Sequence, residues 1–188
     1  MSKIAIRFAA IPALLLLSAC YYPLNYGRDA YSEGMRRLRY DPASADKYFA
    51  EADSELAEAL ADNDLDTQER VIAVTLRARS LIELERHVQV PAVFATPIAG
   101  FKLDLAYRGD SVGLALLRAS KLDPERAYAE LLLAEKKAAT LRSRVHLAWE
   151  QVHLLQKIGT PMAKAEAVRI CEAHAGKIDF DALKQASQ

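Results

Sequence analysis

His146, Glu150 and His153 are the residues of this 188-residue chain whose types and spacing come nearest to a chemical constellation. At about 100° per residue along a helix, Glu150 falls roughly 40° to one side of His146 and His153 roughly 20° to the other. Two imidazoles and a carboxylate then project along one stripe, and neutral imidazole and carboxylate are ligands for zinc or iron. The competing reading is a polar ladder at i, i+4 spacing, Arg142, His146 and Glu150, running beside an apolar seam. A metal site on a helix also needs ligands from its neighbours. Glu85 with His87, and Glu172 with His174, stand two residues apart and point to different faces. No resident metal or cofactor is therefore expected, and the stripe stands as a candidate metal site only. There is no Gly-x-Ser-x-Gly, no His-Glu-x-x-His and no phosphate-cradling glycine loop. An enzymatic role has no support in the sequence.

The other chemically marked residue is Cys20. Lys3 and Arg7 precede an apolar run, Phe8 to Leu17, of signal-peptide length. That run is too short to cross a hydrocarbon core of about 30 Å as a helix. It is followed at once by Leu17-Ser18-Ala19-Cys20, which resembles the lipobox of bacterial lipoprotein precursors. The resemblance implies a diacylglycerol on the Cys20 sulfur, removal of residues 1–19, and often a further acyl (palmitate-type) chain on the new amine. Two or three chains anchor stably, since each buried methylene contributes about 0.8 kcal/mol. Tyr21 stands where an Asp would signal inner-membrane retention in many diderm bacteria. The resemblance thus implies the inner leaflet of an outer membrane, facing the periplasm. Cys171 is then left without a partner and reads as a small buried hydrophobe. Glu150 and His153 form one Glu-x-x-His pair, similar to half of the di-iron motif of ferritin-like bundles. The second pair which that motif requires is missing.

Lys and Arg together number 25, as do Asp and Glu, so no basic excess points to nucleic acid. Hydrophobic residues make up 52% of the chain, enough for a core. Only two cysteines exclude a disulfide scaffold. Residues 1–19 read as a cleaved signal, 20–28 as the lipidated Cys and a short tether, and 29–188 as a single helical domain. The tyrosines at 21, 22 and 26 either rest at headgroup level or pack back onto the domain.

The positioning elements all have helical period. Tyr31, Met35 and Leu38 mark a first helix that ends near Tyr40. Ala45, Phe49, Ala52, Leu56 and Ala59 mark a second after Asp41-Pro42, and the acidic run Asp62 to Asp66 a turn. Asp66 with Glu69 starts a third, with Val71, Val74, Ala78, Leu81 and Val88 inside. Val90 to Phe94 reads as a loop or short turn. Thr96-Pro97 predicts a further helix through Ile98, Phe101 and Leu105, ended by Arg108-Gly109-Asp110. Val112 to Ala119 is a short helix. Ala127, Leu131, Ala134, Ala138, Leu141, Val145, Ala148, Val152 and Leu155 recur at 4, 3, 4, 3. That seam belongs either to one long helix or to two broken near Thr140 or Ser143. Gly159-Thr160-Pro161 is a stop and restart before Ala163, Ala167, Ile170 and Ala173 or His174. Ile178, Phe180 and Leu183 add a last turn or short helix. Trp149 lies beside the seam as core packing or a ligand platform, and Arg36, Arg37 and Arg39 form a solvated face or a headgroup contact.

Parts of this pattern resemble tetratricopeptide repeats, which pair two helices in about 34 residues. Ala45, Phe49 and Ala52 match the small-aromatic-small spacing. Ala119 with Leu122-Asp123-Pro124 matches the end of a unit, and the Gly159 turn between Trp149 and Ala167 resembles the turn inside one. No constant period runs through the chain. The expectation is an all-α protein of antiparallel helical hairpins, as a tetratricopeptide-like solenoid or an irregular bundle.

Such a protein acts by binding. The expected role is a lipid-anchored accessory or assembly subunit of an envelope secretion, pilus or transport complex, with the bilayer and an envelope protein as partners. The alternatives are a substrate-handling accessory lipoprotein of a transporter with a small-molecule pocket, and a helical metalloprotein using His146, Glu150 and His153.

Overall fold

Every regular element of the computed structural model is helical. It describes residues 22–62, 64–104, 110–177 and 180–187, and among these there is no strand. Cys20 and Tyr21 lie outside the described residues. Helix α1 spans Pro23–Tyr40, α2 Pro42–Ala61 and α3 Thr67–Glu83. A 3-10 turn at His87–Gln89 runs into α4, Val90–Phe94. Then come α5 (Ser111–Ala119), α6 (Pro124–Glu135), α7 (Leu141–Ile158), α8 (Pro161–Ala173) and α9 (Phe180–Ser187). No helix among the described residues is long and apolar enough to cross a membrane.

The boundaries are written in local chemistry. Proline, whose fixed φ suits a first turn that needs no N–H, opens α1, α2, α6 and α8. Asp66, Asp110, Asp123, Thr140 and Thr160 cap α3, α5, α6, α7 and α8, each accepting the N–H three residues on. Each such cap contributes about 1 kcal/mol. Asp66 and Glu69 form the full reciprocal box expected of them. Gly159, at φ 70°, closes α7 in the left-handed conformation that costs glycine nothing.

Three apolar cores stand in a row. The first joins Leu24 and Tyr31 of α1, the stripe Ala45, Phe49, Ala52, Leu56 and Ala59 of α2, and Ala73 and Leu76 of α3. The second joins Val71, Val74, Ala78 and Leu81 of α3 to α4, α5, α6 and Leu147 of α7. The third joins Val145, Ala148, Val152 and Leu155 of α7 to Ala163, Ala167 and Ile170 of α8 and Phe180 of α9. Helices α3 and α7 are shared walls, apolar on two faces, so each core depends on its neighbour.

The structure corrects the sequence reading at several points. Residues 23–28 are not tether: α1 starts at Pro23, and Tyr22 already packs on the first core. Val88 is 74% exposed, because α3 ends at Glu83 and Glu85 turns the chain at φ 58°. Val90 to Phe94 is a short helix that buries Val90, Val93 and Phe94. Residues 97–104 form turns, not a helix, because Gly100 at φ 71° interrupts the right-handed path three residues after Pro97. Leu105, Arg108 and Gly109 lie outside the described residues. Asp110 caps the start of α5 instead of ending a helix before it. Of the two readings left open for the seam from Ala127 to Leu155, the structure has two helices with the break at Thr140, and only Leu141, beside that cap, departs from the seam at 56% exposed. On α8, Ala173 faces solvent and His174 is half-buried, while Cys171 takes the inner position.

Candidate functional site

Helix α7 positions the candidate residues. Its cap at Thr140 fixes where the helix starts, and Val145, Ala148, Val152 and Leu155 lock one face into the third core. The spacing then places His146, Trp149, Glu150 and His153 together on the flank. His146 is fully buried, and its Nδ1 lies 3.0 Å from Nδ1 of His87, the rings stacked 5.1 Å apart. One of the two nitrogens must carry the proton and the other accept it. Burial holds both imidazoles below their usual pKa, and for His146 the neighbouring His87 and Arg79 act in the same direction. The pair is therefore neutral at pH 7. His146 Nε2 has no hydrogen-bond partner, and Glu150 Oε1 lies 3.7 Å from it. Trp149 stacks on His146 and meets His153 edge-on at 4.2 Å between centroids.

His146, Glu150 and His153 do share one stripe, as their spacing predicts. They do not converge: among the described residues no group of three or more His, Cys, Asp or Glu side chains could hold a metal ion. His146 turns its Nδ1 to His87, whereas Glu150 and His153 are half-buried on the flank of α7.

They face a cleft of about 540 Å³ between α4, the turn joining α5 to α6, and α7. Phe94, Leu116, Leu122, Leu131, Trp149 and Leu154 give it apolar walls, and Glu150, His153, Lys121 and Lys157 its polar groups. Lys121 Nζ donates to the Phe94 carbonyl at 3.1 Å, tying the end of α4 to the turn after α5. Burial pushes the Glu150 carboxyl up to about 7, against the pull of Lys157. At neutral pH it is divided between acid and carboxylate, able to donate or accept a hydrogen bond. Burial also lowers His153, whose Nε2 has no partner. The arrangement suits holding an apolar group with a polar end.

Beside the His87–His146 pair lies a buried polar network. Arg79 of α3 is 2% exposed. It pairs with Asp110 at 2.8 Å and Glu83 at 3.0 Å, and donates to Ser143 Oγ at 2.5 Å. Tyr31 donates to Asp110 at 2.5 Å, and Thr140 to Glu83 at 2.7 Å. Burial opposes the charge on Arg79, but Tyr31, Asp110 and Glu83 overcome it and hold its pKa above the ordinary value. Five side chains from α1, α3 and the two caps thus fix α5 and α7 against α3.

Sequence reasoning missed Arg79, Glu83 and Lys121, and set His87 aside with Glu85. A signal for the first two existed: α3 reads apolar on nearly every side, so a charged pair at i, i+4 within it has nowhere to go but the interior. Nothing local marks His87 or Lys121, whose partners come from distant segments. The arginines of α1 behave as a solvated face, Arg36 and Arg37 both pairing with Glu33. Cys171 is buried and its thiol pKa pushed up by that burial, which leaves it unreactive. No protein-family model, no curated protein and no solved structure matches the chain.

Proposed function

We propose that the protein is a lipoprotein anchored through Cys20 to the periplasmic leaflet of an outer membrane, and that its helical domain works by binding a segment of an envelope protein in the cleft beside Trp149. The observation that carries the binding role is the cleft itself: about 540 Å³, walled by apolar side chains from α4, α5, α6 and α7, with Glu150, His153, Lys121 and Lys157 to orient what enters. Helical hairpins commonly present such grooves to an amphipathic or extended peptide. Anchoring keeps the domain in a thin layer and so raises its effective concentration for membrane partners.

The same volume lies within the range of small-molecule pockets, about 300–1,000 Å³. This favours, as a second reading, the accessory lipoprotein of a transporter holding an apolar substrate. One experiment separates them. A photo-crosslinking amino acid at Leu154, in the cleft, is compared in cells with one at Met162, which is 83% exposed on α8. The expected result is a discrete adduct with one envelope protein at Leu154 and none at Met162. Absence of any adduct, with a co-purifying small molecule seen by native mass spectrometry, selects the second reading.

A further inference from the structure

Only Tyr21 separates Cys20 from Tyr22, the first described residue. Two residues reach at most about 7 Å even when extended. Tyr22 is not loose chain: its hydroxyl donates to Glu69 Oε1 at 3.0 Å, and its ring packs on the first core. Glu69 belongs to the first turn of α3. In the same turn Thr67 donates to the Ala99 carbonyl at 2.7 Å, which brings the 98–104 loop to this end. There Leu103 is 45% exposed, as is Tyr26, at 47%, one turn into α1. Tyr40 closes the far end of α1, and Val88 lies on the 3-10 turn that follows the far end of α3; each helix is some 25 Å long at about 1.5 Å per residue.

We propose that the end formed by Tyr22, Tyr26, the first turn of α3 and the 98–104 loop rests directly on the lipid headgroup layer. The inference depends on the anchored reading of Cys20. With no tether to swing on, the domain stands on the bilayer in one orientation, α1 rising from it and Tyr40 and Val88 facing away. Tyrosine and leucine side chains are suited to the interface, where amphipathic and apolar groups meet headgroups. The contact draws nothing from charge attraction: exposed Asp62, Asp64, Asp66 and Asp104 share this end with Lys102, and the phosphatidylcholine headgroup carries no net charge. Added salt should therefore leave it unchanged.

The test uses the full acylated protein in phosphatidylcholine vesicles carrying a nitroxide on the headgroup. A fluorophore is placed at Leu103→Cys, Tyr26→Cys or Val88→Cys in a Cys171→Ala background, Cys20 being consumed by lipid. The expected result is severalfold stronger quenching at 103 and 26 than at 88, insensitive to salt. Equal quenching at all three, or stronger quenching at 88, in protein that floats with the vesicles overturns the orientation and leaves the anchor standing. Protein that fails to float and retains an unmodified Cys20 thiol removes the anchor and the orientation together.

Discussion

At the scale of single residues, burial sets the chemistry. Glu150 titrates near 7 in the folded chain against roughly 4.5 unfolded. The folded state therefore holds the proton more tightly, and stability from this residue is present below about pH 4.5 and lost as pH rises to 7. Glu150→Gln removes that dependence. Its stability relative to the native protein should rise by about 1–2 kcal/mol between pH 5 and pH 8, from about 1.4 kcal/mol per pKa unit over the part of the shift that this window spans and allowing for partial exposure. Urea unfolding at the two pH values checks this. The histidines run the other way: with pKa values lowered by burial, His87, His146 and His153 lose stability as pH falls below their unfolded value of about 6.5. Arg79 tests the buried network. Arg79→Met leaves Glu83 and Asp110 buried without their cation and should cost about 3–5 kcal/mol. Arg142→Met, at a partly exposed pair with Asp46 and Glu85 and with one bond to the Glu83 carbonyl, should cost less, about 1–2 kcal/mol. Similar losses for the two variants would remove Arg79 from its central place.

At the scale of elements, what could be read in advance was what local chemistry decides. Periodicity in α2 named Ala45, Phe49, Ala52, Leu56 and Ala59, and all five are buried. The Asp66–Glu69 box and the Gly159 stop are where their residue types require. The reading failed where position relative to another element decides. Residues 97–104 carry helical spacing, but Gly100 and the bond from Thr67 hold them in turns. The seam offered a break near Thr140, which is where it falls, but its period also put Leu141 inside, whereas the new helix turns that residue to solvent. The candidate stripe shows the same division: its shared face was legible, whereas the inward turn of His146 depends on His87, fifty-nine residues away in sequence. Helix crossings add one sharp prediction. A Cβ on Gly113 of α5 would lie 2.7 Å from the Thr75 carbonyl of α3, a backbone atom that cannot swing aside. Gly113→Ala should therefore destabilise by about 1–3 kcal/mol despite its better helix propensity. A variant that melts at or above the native temperature contradicts that packing.

At the scale of the whole molecule, three cores in a row share α3 and α7 as walls. The cleft lies where the second core meets the flank of α7, so its shape depends on both. Trp149, the single tryptophan of the chain, lines it and reports on occupancy by fluorescence. The proposed role in the envelope turns on the Cys20 sulfur. The most direct measurement is the mass of the N-terminal peptide from protein purified out of its own membranes. The account predicts a peptide that begins at Cys20 and carries a diacylglyceryl group, with residues 1–19 gone. A peptide with a free thiol at Cys20, or one that still carries the leader, contradicts it.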